Sequence, residues 1–221
     1  MRRIILTIGL FLTFGASLAT AQIYDRANLW QKEIDQFIDT DNRQTPPVNP
    51  VLFVGSSSFR MWQSVRQDFP GVNIVNRGFG GSHLEDVIYY AAFVIEPYKP
   101  KMVVIYAGDN DITAGKSVER VFADYKALVG IIKRSAPNAR IVFLSIKPSP
   151  SRREFWGKFQ QLNALVKAET LKDRRLSYVS IWQQMLTAKG DAREELYLPD
   201  RLHMKPAGYA VWRQALRNIV R

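Results

Sequence analysis

The strongest constraint on how this chain can fold is a series of short, predominantly apolar runs that do not alternate strictly in polarity. Val51-Leu52-Phe53-Val54, Val72 to Val75, Met102 to Tyr106, Ile141 to Ile146 and a weaker run from Tyr178 to Ile181 recur along the sequence. A strand with one wet face alternates in polarity, whereas a strand apolar throughout must be covered on both sides, as in a parallel sheet. Between the runs lie stretches of helical spacing at about 83–95, 117–135, 152–172 and 206–219, long enough for the crossovers that parallel strands require. Pro206 suits the first position of the last of these. The expectation is a three-layer α/β sandwich on a five-stranded parallel sheet.

Upstream, apolar residues recur at helical spacing between Ile23 and Ile38 (Leu29, Trp30, Ile34, Phe37, Ile38), which predicts an amphipathic helix. The polar stretch from Asp39 to Pro50, with Pro46, Pro47 and Pro50, reads as a connector. At the start, Met1-Arg2-Arg3, the apolar run Ile4 to Leu18 and the small residues Ala19-Thr20-Ala21 follow one another as they do in a secretory signal. The expected division is therefore a signal over 1–21, an N-terminal helix and connector over 22–50, and one α/β domain over 51–221. No later run reaches the roughly 20 apolar residues that span a bilayer. Export, to the periplasm or beyond the cell, is the expected localisation.

Composition narrows the chemistry. With no cysteine and two histidines in 221 residues, disulfide scaffolds, thiolate metal sites and cysteine nucleophiles are excluded. Thirty-one basic residues face twenty acidic ones, a formal charge of +11; without 1–21 there remain twenty-nine against twenty, a charge of +9. These charges, Arg66, Lys99, Lys133, Arg152, Arg153 and Arg217 among them, are scattered rather than gathered in a tract. No nucleic-acid partner is expected from such a distribution. Anionic lipid head groups or acidic polysaccharide are the surroundings that suit a basic exported protein, with association at a membrane surface as one outcome. The oligomeric state stays open.

In an open parallel sheet, ligands gather beyond the carboxyl ends of the strands. Gly55-Ser56-Ser57-Ser58 follows the first run, Asn76-Arg77-Gly78-Phe79-Gly80-Gly81-Ser82 the second, Gly108-Asp109-Asn110-Asp111 the third, and Asp200-Arg201-Leu202-His203 lies downstream of the fifth. A serine becomes a nucleophile when a base takes its proton and a third group orients that base. Asp200 and His203 can supply orienter and base from one loop. Backbone N–H groups around Gly80 and Gly81, with the Asn110 amide, can meet a developing oxyanion. Plainer readings stand beside these. Ser57 suits a helix N-cap, the glycines suit turns, and Asp109 with Asp111 suits a hard cation. His83 is either a rival base or a helix start. Trp62, Phe79 and Trp156 form either an apolar surface for substrate or part of the core.

The order Gly-x-Ser, Gly81, Gly-x-Asn-Asp and Asp-x-x-His resembles the SGNH (GDSL-type) hydrolase superfamily, from about Val51 to Val220. The text Gly55-Ser56-Ser57-Ser58-Phe59-Arg60-Met61-Trp62 and Gly78-Phe79-Gly80-Gly81-Ser82 is similar to the bacterial branch related to platelet-activating-factor acetylhydrolase catalytic subunits. The resemblance implies a flavodoxin-like SGNH fold and a serine esterase needing no metal or organic cofactor. It implies Ser57 as nucleophile, the Ser57 N–H, Gly81 and Asn110 as oxyanion donors, His203 as general base and Asp200 as its orienter. The implied substrates are short-acyl, acetyl-type esters of a carbohydrate or lipid. Alternatives are a lysophospholipase or thioesterase for longer chains, and a non-catalytic periplasmic protein that binds carbohydrate or lipid. The family's name motif has Asp before the nucleophile where this chain has Ser56. Ser56 and Ser58 therefore remain alternatives, although the register after Gly55 favours Ser57. Phe59 stands where the α/β-hydrolase elbow Gly-x-Ser-x-Gly needs glycine.

Overall fold

Five strands, β1 (Val51–Gly55), β2 (Ile74–Gly78), β3 (Met102–Tyr106), β4 (Arg140–Leu144) and β5 (Leu176–Val179), pair in parallel in the order β2-β1-β3-β4-β5. The computed structural model describes residue 26 and residues 28–221; the stretch read as a secretory signal lies outside them. Successive residues of the strands point into two separate cores. Leu52, Val54, Val103, Ile105, Ile141 and Phe143 serve one, while Val51, Phe53, Val104, Tyr106, Val142 and Leu144 serve the other. Burial of both faces is why β1, β3 and β4 read as largely unbroken apolar runs. The expected three-layer sandwich is the fold found.

Helices α1 (Gln31–Arg43), α4 (Leu84–Tyr89), α5 (Ala91–Val94), α7 (Val118–Ser135) and α8 (Trp156–Thr170) cover the first face. The one-turn α2 (Ser57–Arg60) and α3 (Val65–Asp68), with the C-terminal α9 (Pro206–Leu216), cover the second. There Phe53, Phe59, Trp62, Tyr106, Tyr209 and Trp212 pack ring against ring at centroid distances of 4.7 to 6.4 Å. Among the described residues, no helix is long and apolar enough to cross a membrane.

β5 lies two residues ahead of the run expected at Tyr178 to Ile181, and two further boundaries differ from the sequence expectation. β2 begins at Ile74 and runs to Gly78, so Asn76, Arg77 and Gly78 are strand and not loop. The helix upstream ends at Arg43, so residues 39–43 are helical and not connector. One cause explains both. Arg77, on an edge strand, is buried beneath α1, where its guanidinium meets Asp41 and the Tyr98 hydroxyl. A buried, paired arginine leaves no apolar signature in the sequence. The stretch expected as one helix at 83–95 is two short helices, and the expected 152–172 helix is a 3₁₀ turn, Pro150–Phe155, followed by α8.

Candidate active site

The sheet order reverses direction between β1 and β3, and polar groups converge beyond the carboxyl ends there, as expected for this topology. β1 ends at Gly55 with φ of 138°, and a Cβ at this position would lie 1.9 Å from the Tyr106 carbonyl oxygen of β3. Only glycine fits. The chain then turns away, the Ser56 N–H donates to that same carbonyl at 3.0 Å, and Ser57 opens α2 at the sheet's edge.

Of the three serines, Ser57 places its Oγ 3.0 Å from Nε2 of His203. Ser56 and Ser58 are buried, and the Ser58 hydroxyl accepts from Nζ of Lys147 at 3.0 Å. His203 comes from the loop before α9. Its Nδ1 lies 2.6 Å from Oδ2 of Asp200, and the other carboxylate oxygen of Asp200 accepts the backbone N–H groups of Leu202 and His203, both at 2.9 Å. One oxygen therefore folds the loop into an Asx-type turn while the other orients the ring. Burial nudges the Asp200 carboxyl upward, but the Leu202 N–H, the His203 ring and the His203 N–H outweigh it and hold the group down at about 2. An ionised Asp200 places the hydrogen on Nδ1 and leaves Nε2 free to accept from Ser57.

The opposite wall is built from the β2 and β3 loops. Gly81 is exposed with φ of 69°, a left-handed conformation that glycine adopts without strain. Asn110, in α6 (Asp109–Thr113), donates from Nδ2 to the Ser82 carbonyl at 3.1 Å, which ties the two loops together. Gly80 is gripped from the other side: its carbonyl accepts the Trp30 indole N–H, and its N–H donates to Glu33 Oε1 at 3.4 Å. Glu33 also takes Arg60 at 2.9 Å.

The remaining candidates fall elsewhere. His83 precedes α4 and is buried, with its backbone N–H donating to Asp86 at 2.7 Å; desolvation, reinforced by the Arg26 and Lys116 charges, pulls its pKa down. Asp109 and Asp111 do not share a cation site. Asp109 is paired with Lys147 and Arg152, whereas Asp111 meets Lys116 at 3.2 Å and accepts the Leu84 N–H. Trp62 and Phe79 are core, and Trp156 is half-buried with its N–H on the Ser149 carbonyl. Sequence reasoning missed Lys147 altogether and took Arg152 for a solvated charge. The one available signal was position: Lys147 follows directly on the apolar run of β4, at the edge of the sheet where the other loops converge.

Residues 40–211 match the model of the GDSL-like lipase/acylhydrolase family. The chain is 26% identical over 201 residues to platelet-activating factor acetylhydrolase IB subunit alpha1 of Homo sapiens, covering 86% of this chain and 82% of that one. A GDSL-like lipase from Bacteroides thetaiotaomicron superposes with a TM-score of 0.70 at 23% identity, covering 85% of this chain and 96% of that one. A family 3 carbohydrate esterase from Clostridium thermocellum superposes with a TM-score of 0.63 at 14% identity, covering 79% and 98%. These two structural likenesses establish a shared fold.

Proposed function

Because the chain belongs to the GDSL-like lipase/acylhydrolase family and is a hydrolase acting on esters, we propose that it cleaves carboxylic esters through an acyl-serine intermediate on Ser57. The observation that carries this reading is the continuous line from Asp200 Oδ2 through the His203 ring to Ser57 Oγ, with spacings of 2.6 and 3.0 Å. Nε2 of His203 takes the Ser57 proton as Oγ attacks the ester carbonyl. Asp200 steadies the imidazolium that forms. The carbonyl oxygen, now an oxyanion, is met by the Ser57 N–H, the Gly81 N–H and Nδ2 of Asn110. His203 then returns the proton to the departing alcohol, and water repeats the cycle to free the acid.

We assign the substrate as a short acyl ester, acetyl in type, on a carbohydrate or a lipid. Support comes from the names of the relatives, an acetylhydrolase and a carbohydrate esterase. Export is part of the same proposal and rests on the basic, apolar and small residues of 1–21. An exported chain of this charge would work beside anionic head groups or acidic polysaccharide.

The test is hydrolysis of p-nitrophenyl acetate and longer acyl homologues. Ser57→Ala should lower kcat by a factor on the order of 10⁴ or more, and Asn110→Ala by about 10² to 10³. Full turnover by Ser57→Ala would falsify the nucleophile assignment. A rate that climbs with chain length would replace the short-acyl assignment with a lysophospholipase-type or thioesterase reading. An N-terminus at Gln22 on the protein recovered from outside the cytoplasm would support export, and a retained Met1 would sink it.

A further inference from the structure

Beneath the proposed site lies a cluster of charges that the reaction as described does not use. The Lys147 ammonium is 1% exposed, donates to Ser58 Oγ at 3.0 Å and to the Tyr106 hydroxyl at 3.1 Å, and stands 3.6 Å from Asp109 Oδ2. Arg152, from the 3₁₀ turn Pro150–Phe155, brings Nη1 to 2.8 Å from that same oxygen and donates from Nη2 to Asn110 Oδ1 at 2.7 Å. The other oxygen of Asp109 accepts the Asn110 N–H at 3.1 Å. Burial pushes the Asp109 carboxyl upward, but the Lys147 and Arg152 charges outweigh it and keep the group ionised. The Arg152 turn also reaches the opposite wall, since the Ser151 N–H donates to the Arg201 carbonyl at 3.1 Å within the Asp200–His203 loop.

A carboxamide has a donor end and an acceptor end of nearly the same shape, and half a rotation exchanges them. Asn110 can serve an oxyanion only with Nδ2 toward the reacting carbonyl. One Nδ2 hydrogen goes to the Ser82 carbonyl, and the second is left for the oxyanion. Arg152 can only donate, so it admits only the oxygen end on its side. The reversed amide would set Nδ2 against a guanidinium and Oδ1 against both the Ser82 carbonyl and the developing negative charge. A cation on Oδ1 also polarises the amide and strengthens its N–H as a donor.

We propose that Arg152 is a positioning residue for the esterase reaction: anchored on Asp109, it locks the Asn110 carboxamide with its free N–H toward the oxyanion. Lys147 completes the device by holding Asp109 and the helix turn of Ser58 to one point. The proposal rests on the reading of Asn110 as an oxyanion donor.

A double-mutant cycle on the full chain tests it, with p-nitrophenyl acetate as substrate and thermal unfolding as the control for folding. Arg152→Met should lower kcat about 10- to 100-fold, less than the roughly 10²- to 10³-fold of a lost oxyanion donor because the Asn110 amide is misplaced and not removed, and leave KM within a few-fold. Arg152→Lys keeps the charge and one donor and should recover part of the rate. The decisive result is coupling: Arg152→Met/Asn110→Ala should be no slower than Asn110→Ala alone. Multiplicative losses would overturn the proposal, as would a rise in KM at constant kcat. The Arg152→Lys pair in both backgrounds gives the same answer if Arg152→Met does not fold. Failure of the underlying reading looks different, because Asn110→Ala alone would then run at the wild-type rate and take this proposal down with it.

Discussion

Asp200 shows how much one side chain can settle. Its two oxygens divide the work, one closing the turn onto the Leu202 and His203 N–H groups and the other holding the imidazole. Asp200→Asn keeps an oxygen for the turn but can hold the ring in the wrong tautomer, so kcat should fall about 10⁴-fold while the far-ultraviolet dichroism stays native. Survival of most of the activity would remove Asp200 from the relay. The linkage has a definite sign. A carboxyl held down at about 2 contributes its full stabilisation above the unfolded pKa, roughly 3.9, and that contribution drains away as pH falls from there through about 2. At this scale the sequence was informative wherever chemistry restricts residue type. Ser57 directly follows a strand end, Asp200 and His203 share the loop before the last helix, and few side chains offer the chemistry proposed for them. Arg152 and Lys147 were illegible because arginine and lysine are by default solvated, and only the fold brings Asp109 between them.

At the scale of elements, the Gly80–Gly81 loop is held by α1 and the 3₁₀ turn Asn28–Trp30 that leads into it, far away in sequence. Trp30 and Ile34 are buried in the first core, and Trp30 meets Phe79 edge to face with centroids 5.8 Å apart. Trp30 and Glu33 together grip the carbonyl and N–H of Gly80, one residue before Gly81. Trp30→Phe keeps much of the apolar contact and removes the donor. It should cost about 1 to 3 kcal/mol in urea unfolding and lower kcat several-fold through a looser Gly81. Lost stability with an unchanged kcat would show that the helix supports the sheet alone. Periodicity correctly proposed a helix in this region, and its length was misjudged because Asp41 serves Arg77 and Tyr98 across the chain. Hydrophobic spacing reports which face of an element is dry. Polar pairs between elements leave no such trace, which is why β2 and α1 were misread while β1, β3 and β4 were plain.

For the whole molecule, the parallel sheet was the most legible feature, since burial of both faces marks every central strand. What it conceals is a charged cluster, Asp109 with Lys147 and Arg152, at the carboxyl edge of the sheet. Burial pulls the Lys147 ammonium down to about 8 against the attraction of Asp109. The folded protein then binds fewer protons than the unfolded chain between about pH 8 and pH 10.4. Stability should therefore rise with pH across that window relative to Lys147→Met, by on the order of 3 kcal/mol in all and about 2 kcal/mol by pH 9.5. Chemical unfolding of both proteins at pH 7 and pH 9.5 reads this directly, and parallel curves would mean that Lys147 is not held as described. A last consequence follows from Asp200 and His203 sharing one short loop while Ser57 sits on the frame of the sheet. Any excursion of that loop carries acid and base together, so their mutual spacing is protected and the whole displacement falls on the gap between Nε2 and Oγ. In the proposed reaction that gap is the one spacing left to the loop's anchorage, which the Ser151–Arg201 hydrogen bond shares with the Leu198–His203 backbone pairing and the Arg201–Glu194 ion pair.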